Sequence, residues 1–175
     1  MNDDAKASQP NSLTMRNRMC RDNCLLHYAT NFNHLSIVKL LISIGYNVNT
    51  ANFSRITPLH IAVKRKNYQI IKLLLETGAN VNLVQDFGYT PLYLASTIWA
   101  STTTYHANPR ALIDWNNNLL ILKTLIEAGS IIDRRSKDRQ TPLYGLIWSC
   151  DEPSGGEPVY HQMVSTLVKA GADVN

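Results

Sequence analysis

A short apolar pattern with the period of an α-helix opens the second quarter of the chain. Leu59, Ala62 and Val63 would share one face of such a helix. Thr57 suits the N-cap position, and Pro58 suits the first helical position, where a missing N–H costs nothing. The pattern therefore predicts a short helix, and the small Ala62 side chain would let a neighbouring helix approach closely.

A second apolar run, at residues 70–75, predicts the next helix. Gly78 follows this run and is suited to end the helix, because glycine readily adopts a positive φ. A pair of helices this small cannot bury its own apolar face. Stacked copies would bury it together, so the pattern indicates a repeat protein.

The same two-helix pattern recurs along the chain. Its first residue returns at intervals of 33, 33 and 51 residues, at Cys24, Thr57, Thr90 and Thr141. Each copy closes with a glycine 21, 21, 39 and 30 residues further on, at Gly45, Gly78, Gly129 and Gly171. The third and fourth copies therefore carry 18 and 9 extra residues inside the copy.

The opening Thr-Pro-Leu-His-x-Ala, the closing Gly-Ala-Asn-Val-Asn and the 33-residue period resemble the ankyrin repeat. The resemblance covers residues 20–175 and predicts an all-α repeat solenoid: stacked helix-turn-helix repeats with short β-hairpin fingers. The repeats are predicted at 20–52, 53–85, 86–136 and 137–175, after a polar, disordered tail at 1–19. The residues expected to carry the repeat architecture are His27, Gly45, Thr57, Pro58, His60, Gly78, Thr90, Pro91, Gly129, Thr141, Pro142 and Gly171.

The chain departs from the family pattern at several glycines. The finger glycine is present at Gly88 but is replaced by Arg55 and Arg139 in two other fingers, and by Asp22 in the first. The glycine between the two helices is Asn33 in repeat one and Lys66 in repeat two. Cys24 and Leu25 stand where Thr-Pro is expected, so repeat one is expected to be a degenerate N-terminal capping repeat. Gly145 and Leu146 replace the usual x-Ala and make the inner helix of repeat four less secure.

The two insertions are expected near residues 99–118 and 150–158, where each joins the inner to the outer helix of its repeat. The first contains Trp99 and Trp115, which either pack back onto the stack or form a separate binding surface. Packing is favoured, because large apolar side chains rarely stay exposed. The polar run Asn116–Asn118 is interpreted as loop. The second insertion is acidic and rich in glycine and proline.

Composition is that of a globular intracellular protein. The chain has 175 residues, 45% of them apolar, and no apolar run long enough to enter a membrane. Its three cysteines are an odd number, which suits the reducing cytoplasm or nucleus. Asp3 and Asp4 lie where a signal peptide would carry basic residues. Asn175 falls where a further finger should begin, so the sequence is expected to be a fragment.

No catalytic, cofactor-binding or metal-binding motif is present, so the chain is predicted not to be an enzyme and to need no cofactor. Zinc at Cys20 and Cys24 would need two more ligands at compatible spacing. His27 and His60 recur with the repeat. They are interpreted as structural residues whose imidazoles bond the backbone of the neighbouring finger.

The resemblance implies partner binding on the concave surface of fingers and inner helices. Residues 1–70 hold nine Lys or Arg against three Asp or Glu, and residues 71–175 hold eight against ten. The basic half suits a protein partner with an acidic segment, although it is also consistent with ordinary solvated surface. No small-molecule substrate is expected. The predicted contact residues are Asn31, Phe32, Phe53, Arg55, Lys64, Arg65, Asp86, Phe87, Lys137 and Arg139.

Two alternative functions stay open. A ubiquitin-ligase adaptor would need a recruiting box beyond Asn175. A nucleic-acid binder would use the basic half, although its fingers mix Asp with Arg and no known reading motif appears.

Overall fold

The computed structural model describes residues 25–97, 110–148 and 157–174, which form helices joined by tight turns. We number the helices in chain order. They are α1 (residues 25–31 of the described part), α2 (Leu35–Ser43), α3 (Pro58–Lys64), α4 (Tyr68–Glu76), α5 (Pro91–Thr97), α6 (Arg110–Glu127), α7 (Pro142–Trp148) and α8 (Glu157–Lys169).

Helices of one kind pack on helices of the same kind in the next repeat. The inner helices α3, α5 and α7 contact one another in that order, and so do the outer helices α2, α4, α6 and α8. Within repeats, α3 contacts α4, α5 contacts α6 and α7 contacts α8. The predicted all-α repeat fold is confirmed.

Helix α3 begins at the cap that the sequence predicted. In α3 the Thr57 side chain accepts a hydrogen bond from His60 N, and the His60 ring accepts one from Thr57 N. This reciprocal arrangement satisfies two backbone donors at the helix start. Asn67 caps α4 by accepting from Ile70 N at 3.1 Å.

The core follows the predicted apolar faces. Leu59, Ala62 and Val63 of α3 are buried, and so are Ile70 and Leu74 of α4. These side chains form one continuous cluster with their equivalents in the other repeats. The stack therefore shares a single core.

The fingers are tight turns at residues 52–56, 85–89 and 136–140. In each, the first residue donates its N–H to the carbonyl of the last, at 3.0, 3.1 and 2.9 Å. Neighbouring fingers are also joined: Asp86 N donates to Ser54 O at 3.1 Å, and Lys137 N donates to Phe87 O at 3.0 Å. No β-strand occurs in the described ranges, so the predicted hairpins are present there only as turns.

In the described ranges, four residues other than glycine adopt a positive φ. They are Asn33, Arg55, Lys66 and Arg139, with φ between 56° and 61°. These are the positions at which the sequence lacks the expected glycines. The repeat geometry therefore imposes this backbone conformation even where a β-carbon disfavours it.

In the first insertion, the structure shows that one interpretation of the sequence was wrong. Asn116–Asn118 were expected to be loop, but they lie within α6, which has 18 residues where α4 has 9. One of these asparagines has a partner in the neighbouring repeat, and another is buried. Asn117 Nδ2 donates to Lys66 O at 2.9 Å, and Asn118 is buried.

Several predictions fall on residues outside the described ranges. These are the disordered tail at 1–19, the cysteines Cys20 and Cys24, the packing of Trp99, and the acidic part of the second insertion. Trp115 lies in α6, but its side chain is outside the part that the structure describes, so the prediction that it packs is not tested either. The structure shows only that α6 begins at Arg110 and α8 at Glu157.

The inner helix of repeat four is formed in spite of Gly145. A β-carbon at this residue would lie 2.6 Å from Thr97 Cγ2 and 3.2 Å from Tyr93 Cε2. Glycine therefore allows α7 to approach α5 closely, while Leu146 fills the core at the position that Ala62 and Ala95 occupy in earlier repeats.

Candidate binding surface

At one repeat position, an aromatic side chain forms a hydrogen bond between its inner helix and the following finger. The three residues are His27, His60 and Tyr93. His27 Nε2 lies 2.8 Å from Ile56 O, and His60 Nε2 lies 3.1 Å from Tyr89 O. In the third repeat, the Tyr93 hydroxyl donates to Gln140 Oε1 at 2.6 Å. These residues hold the fingers in place beside the inner helices.

The environment of His60 keeps its imidazole neutral. Burial lowers the pKa of His60 to about 4, although its hydrogen bonds to the Tyr89 and Leu83 backbone act in the opposite direction. Because Nδ1 accepts from Thr57 N, the single proton resides on Nε2 and is donated to Tyr89 O. Both ring nitrogens are thus used structurally.

A second ladder, which the sequence analysis missed, joins the turns after the outer helices. Asn49 Nδ2 donates to Gly78 O at 3.0 Å, and Asn49 Oδ1 accepts from Asn80 N at 2.6 Å. Asn82 repeats both bonds with Gly129 O and Ile131 N, at 3.0 and 2.8 Å. The recurring final Asn of the closing motif was the available signal.

Exposed aromatic side chains lie on one side of the stack. In the described part of the chain, each strongly exposed Phe, Tyr or Trp belongs to an inner helix, to the residue just after one, or to a finger. Exposed large apolar residues of the outer helices are aliphatic. The exposed aromatic residues are Tyr28, Phe32, Phe53, Phe87, Tyr144 and Trp148. We call the inner helices, the residues just after them (Phe32 and Arg65) and the fingers together the finger surface.

The structure brings two predicted contact residues together. Arg65 donates to Asn31 Oδ1 from Nε at 2.9 Å and from Nη2 at 2.7 Å, across 34 residues of sequence. Phe32, next to Asn31, stacks on Tyr28 with ring centroids 6.0 Å apart. The guanidinium of Arg65 is therefore held on the first two inner helices, with Lys64 exposed beside it.

The remaining predicted contact residues lie at the finger tips. Phe53 and Arg55 are exposed on the first described finger, and Lys137 and Arg139 on the third. On the middle finger Phe87 is exposed and Asp86 is half-buried. The predicted residues thus form two groups, one on the inner helices and one along the finger tips.

Within the described ranges, the cations of the finger surface form no ion pair with a carboxylate. Across the described ranges, the one ion pair joins Lys72 and Glu76 on an outer helix, at 3.8 Å. Arg55, Lys64 and Arg139 lie on the opposite side of the repeat and make no such pair.

The described ranges contain neither a candidate metal site nor a candidate membrane span. No group of three or more His, Cys, Asp and Glu side chains is placed to hold a metal ion. In the same ranges, no helix has the length and apolarity needed to cross a bilayer.

Comparison with known proteins agrees with the repeat pattern. A family model described as ankyrin repeats, in three copies, matches residues 17–98. No curated protein is significantly similar to the chain in sequence.

Proposed function

Because this chain belongs to the ankyrin-repeat family, whose repeats generally mediate protein–protein interactions, we propose that it binds a partner protein through its finger surface. Proteins of this family are typically non-enzymatic interaction modules. We extend that role to this chain, acting inside the cell without a cofactor.

The segregation of exposed aromatic residues is the observation that carries the proposal. Aromatic residues and Arg are enriched at the energetic centres of protein interfaces. Six exposed aromatic residues lie on the finger surface, while the outer helices expose aliphatic ones. The fold alone does not require this difference, since both sides of a repeat face solvent.

The charge of the finger surface favours a partner with an acidic segment. Arg55, Lys64 and Arg139 form no ion pair among the described residues, so a bound carboxylate would meet cations that are not already paired. Arg65 is already fixed by Asn31, which reduces the side-chain entropy lost when it binds. We infer a partner segment that combines Asp or Glu with large apolar residues.

The finger arginines add a second argument. Arg55 and Arg139 adopt a positive φ at positions where Gly88 stands in the middle finger. Strained backbone conformations are found preferentially at functional sites. Retaining arginine at these two positions is consistent with a contact that glycine could not make.

A matched pair of charge reversals tests the proposal. Lys64→Glu with Arg65→Glu changes the finger surface, and Lys39→Glu with Lys123→Glu makes the same charge change on outer helices. Each tagged variant is used to purify partners from cells, and bound proteins are quantified by mass spectrometry alongside the melting temperature. We expect the finger variant to lose partners that the wild type and the outer-helix variant retain. Retention by both variants would contradict the assignment of the surface.

The ubiquitin-ligase adaptor remains an alternative, and a recruiting box encoded after Asn175 would be its support. The dependence of binding affinity on salt concentration distinguishes nucleic-acid binding from protein binding. Direct phosphate contacts would give a log–log slope of about −0.9 per phosphate neutralised on duplex DNA. An oligonucleotide that binds the chain with such a slope would favour that alternative.

A further inference from the structure

Two series of side-chain hydrogen bonds join neighbouring repeats in the described part of the chain. In the first series, a residue of the inner helix bonds to the following finger, and the members are His27, His60 and Tyr93. In the second series, a residue of the turn after the outer helix bonds to the next such turn, and the members are Asn49, Asn82 and Asp133. Both series change at the junction between repeats three and four, which we call the third junction.

At the third junction, an aspartate replaces the asparagine of the second series. Asp133 accepts from Asp173 N at 3.1 Å, in the same way that the two asparagines accept from the repeat that follows them. Asn82 also donates from Nδ2 to Gly129 O at 3.0 Å. An ionised carboxylate has no hydrogen to donate, so Asp133 cannot form the equivalent bond to Gly171 O. The third junction therefore lacks a hydrogen bond that the first two junctions contain.

The first series changes its acceptor at the same junction. His27 and His60 lie within hydrogen-bond distance of backbone carbonyls of the next finger, at 2.8 and 3.1 Å. The Tyr93 hydroxyl donates instead to Oε1 of Gln140, which is the end of a long side chain. Fixing a glutamine side chain costs conformational entropy, whereas a carbonyl of the folded backbone is already fixed. This bond therefore contributes less to holding repeat four in place.

Other contacts continue across the third junction. Helices α7 and α8 pack on α5 and α6, and Leu143, Leu146 and Leu167 belong to the common core. The bond between the fingers is also present, since Lys137 N donates to Phe87 O. Repeat four is thus folded onto the stack, and the difference from the earlier junctions lies in its polar bonds.

We propose that repeat four opens as a unit at the third junction, while repeats one to three stay joined. In a repeat protein, the free energy of such an opening depends on the repeat itself and on its interface with the neighbouring repeat. Native proteins open locally in cooperative units of this size. Because Asp133 weakens the interface, it raises the fraction of molecules in which repeat four is open.

Opening alters the finger surface, a consequence that rests on the proposed function. Arg139 belongs to the finger of repeat four, whereas Arg55, Lys64 and Arg65 belong to repeat two. A partner that contacts both groups binds only the closed stack, and its binding holds repeat four closed. Repeat four then acts as a conformational switch that is coupled to the partner.

Hydrogen exchange in the free chain tests the opening. Amides of α7 and α8 should exchange with a lower free energy of opening than amides of α3 and α4. Asp133→Asn restores the missing donor and should slow exchange in α7 and α8 by about 2- to 10-fold, the effect of one hydrogen bond. Asn82→Asp removes the same donor from the junction between repeats two and three, and it should speed exchange in repeats three and four together.

Asp138→Asn is the matched control, because Asp138 is an exposed aspartate of the adjacent finger and its replacement removes the same charge. Exchange in this variant should match that of the wild type. Three results would each overturn the proposal: unchanged exchange in Asp133→Asn, an equal effect of Asp138→Asn, or a common free energy of opening for all four helices in the wild type. The experiment needs no partner, so its failure would leave the proposed binding function intact.

Discussion

At the scale of single residues, two finger positions with the same backbone geometry carry different side chains. Arg55 has a φ of 58° and Gly88 a φ of 78°. A non-glycine residue in this region costs roughly 1–2 kcal/mol. At Gly88 there is a further obstacle, because a β-carbon would lie 2.9 Å from Lys137 N and 3.2 Å from the Ser136 backbone.

We predict opposite effects of substitution at these equivalent positions. Arg55→Gly should raise the free energy of unfolding by about 0.5 kcal/mol, since relief of strain exceeds the entropy that glycine adds to the unfolded chain. Gly88→Ala should lower it by about 1–3 kcal/mol, because the methyl group meets backbone and the φ is unfavourable. Urea denaturation measures both. A destabilised Arg55→Gly variant would show that the arginine side chain has a structural role.

His60 should make stability depend on pH. Its pKa is about 4 in the folded chain and about 6.5 when unfolded, so between these values the unfolded state binds more protons. The contribution to stability is therefore complete above pH 6.5 and is lost as pH falls towards 4. The loss approaches about 3 kcal/mol, from 1.36 kcal/mol for each pKa unit.

Urea midpoints measured between about pH 4 and pH 7 test this expectation. His60→Gln is the control, because a glutamine can still donate to Tyr89 O but does not titrate in this window. The wild type should lose stability more steeply than the variant as the solution is acidified. Parallel pH profiles for the two proteins would contradict the predicted role of His60.

At the scale of elements, α6 depends on a contact with another repeat. Asn has a low helix propensity, and a run of three would weaken an isolated helix. Asn117 compensates by donating to Lys66 O, a carbonyl in the turn between α3 and α4. This bond anchors the extended part of α6 to the preceding repeat.

Asn117→Ala should therefore destabilise the protein despite the better helix propensity of alanine. We expect a net loss of about 0.5–1 kcal/mol, since the partly buried Lys66 carbonyl is left without that donor. Asn116→Ala is the control. Asn116 is exposed on the same helix, so its replacement should be neutral or slightly stabilising. Equal effects of the two substitutions in urea denaturation would exclude a specific role for the Asn117 bond.

At the scale of the whole molecule, stability is transmitted only between neighbouring repeats. Leu167 of α8 and Leu74 of α4 are both fully buried, but Leu167 lies in the last repeat and Leu74 lies inside the stack. Truncating either to alanine leaves a cavity and costs about 2–5 kcal/mol. The location of the damage should nevertheless differ.

Hydrogen exchange resolves that difference. In Leu167→Ala, amides of α7 and α8 should exchange faster, whereas those of α2, α3 and α4 should stay close to wild type. In Leu74→Ala, we expect faster exchange in the repeats on both sides. Uniform acceleration in the Leu167 variant would indicate that the stack unfolds as one cooperative unit.

The sequence by itself determined the repeat, its helices and most of the residues at which those helices begin and end. Thr57, Pro58 and Gly78 act within one or two helical turns, so their signals are local and could be read without tertiary structure. The repeat pattern also marks where the expected glycines are missing, and the structure then shows a positive φ at four of those positions.

Only the tertiary structure decided features that depend on residues far apart in sequence. Asn31 and Arg65 are 34 residues apart, and only stacking of repeats brings their side chains together. Asn116–Asn118 resemble a loop locally but are helical because another repeat accepts the Asn117 hydrogen bond. Ile37 and Val174 have the same apolar character as their buried counterparts, and they are exposed because burial depends on the neighbour rather than on the residue.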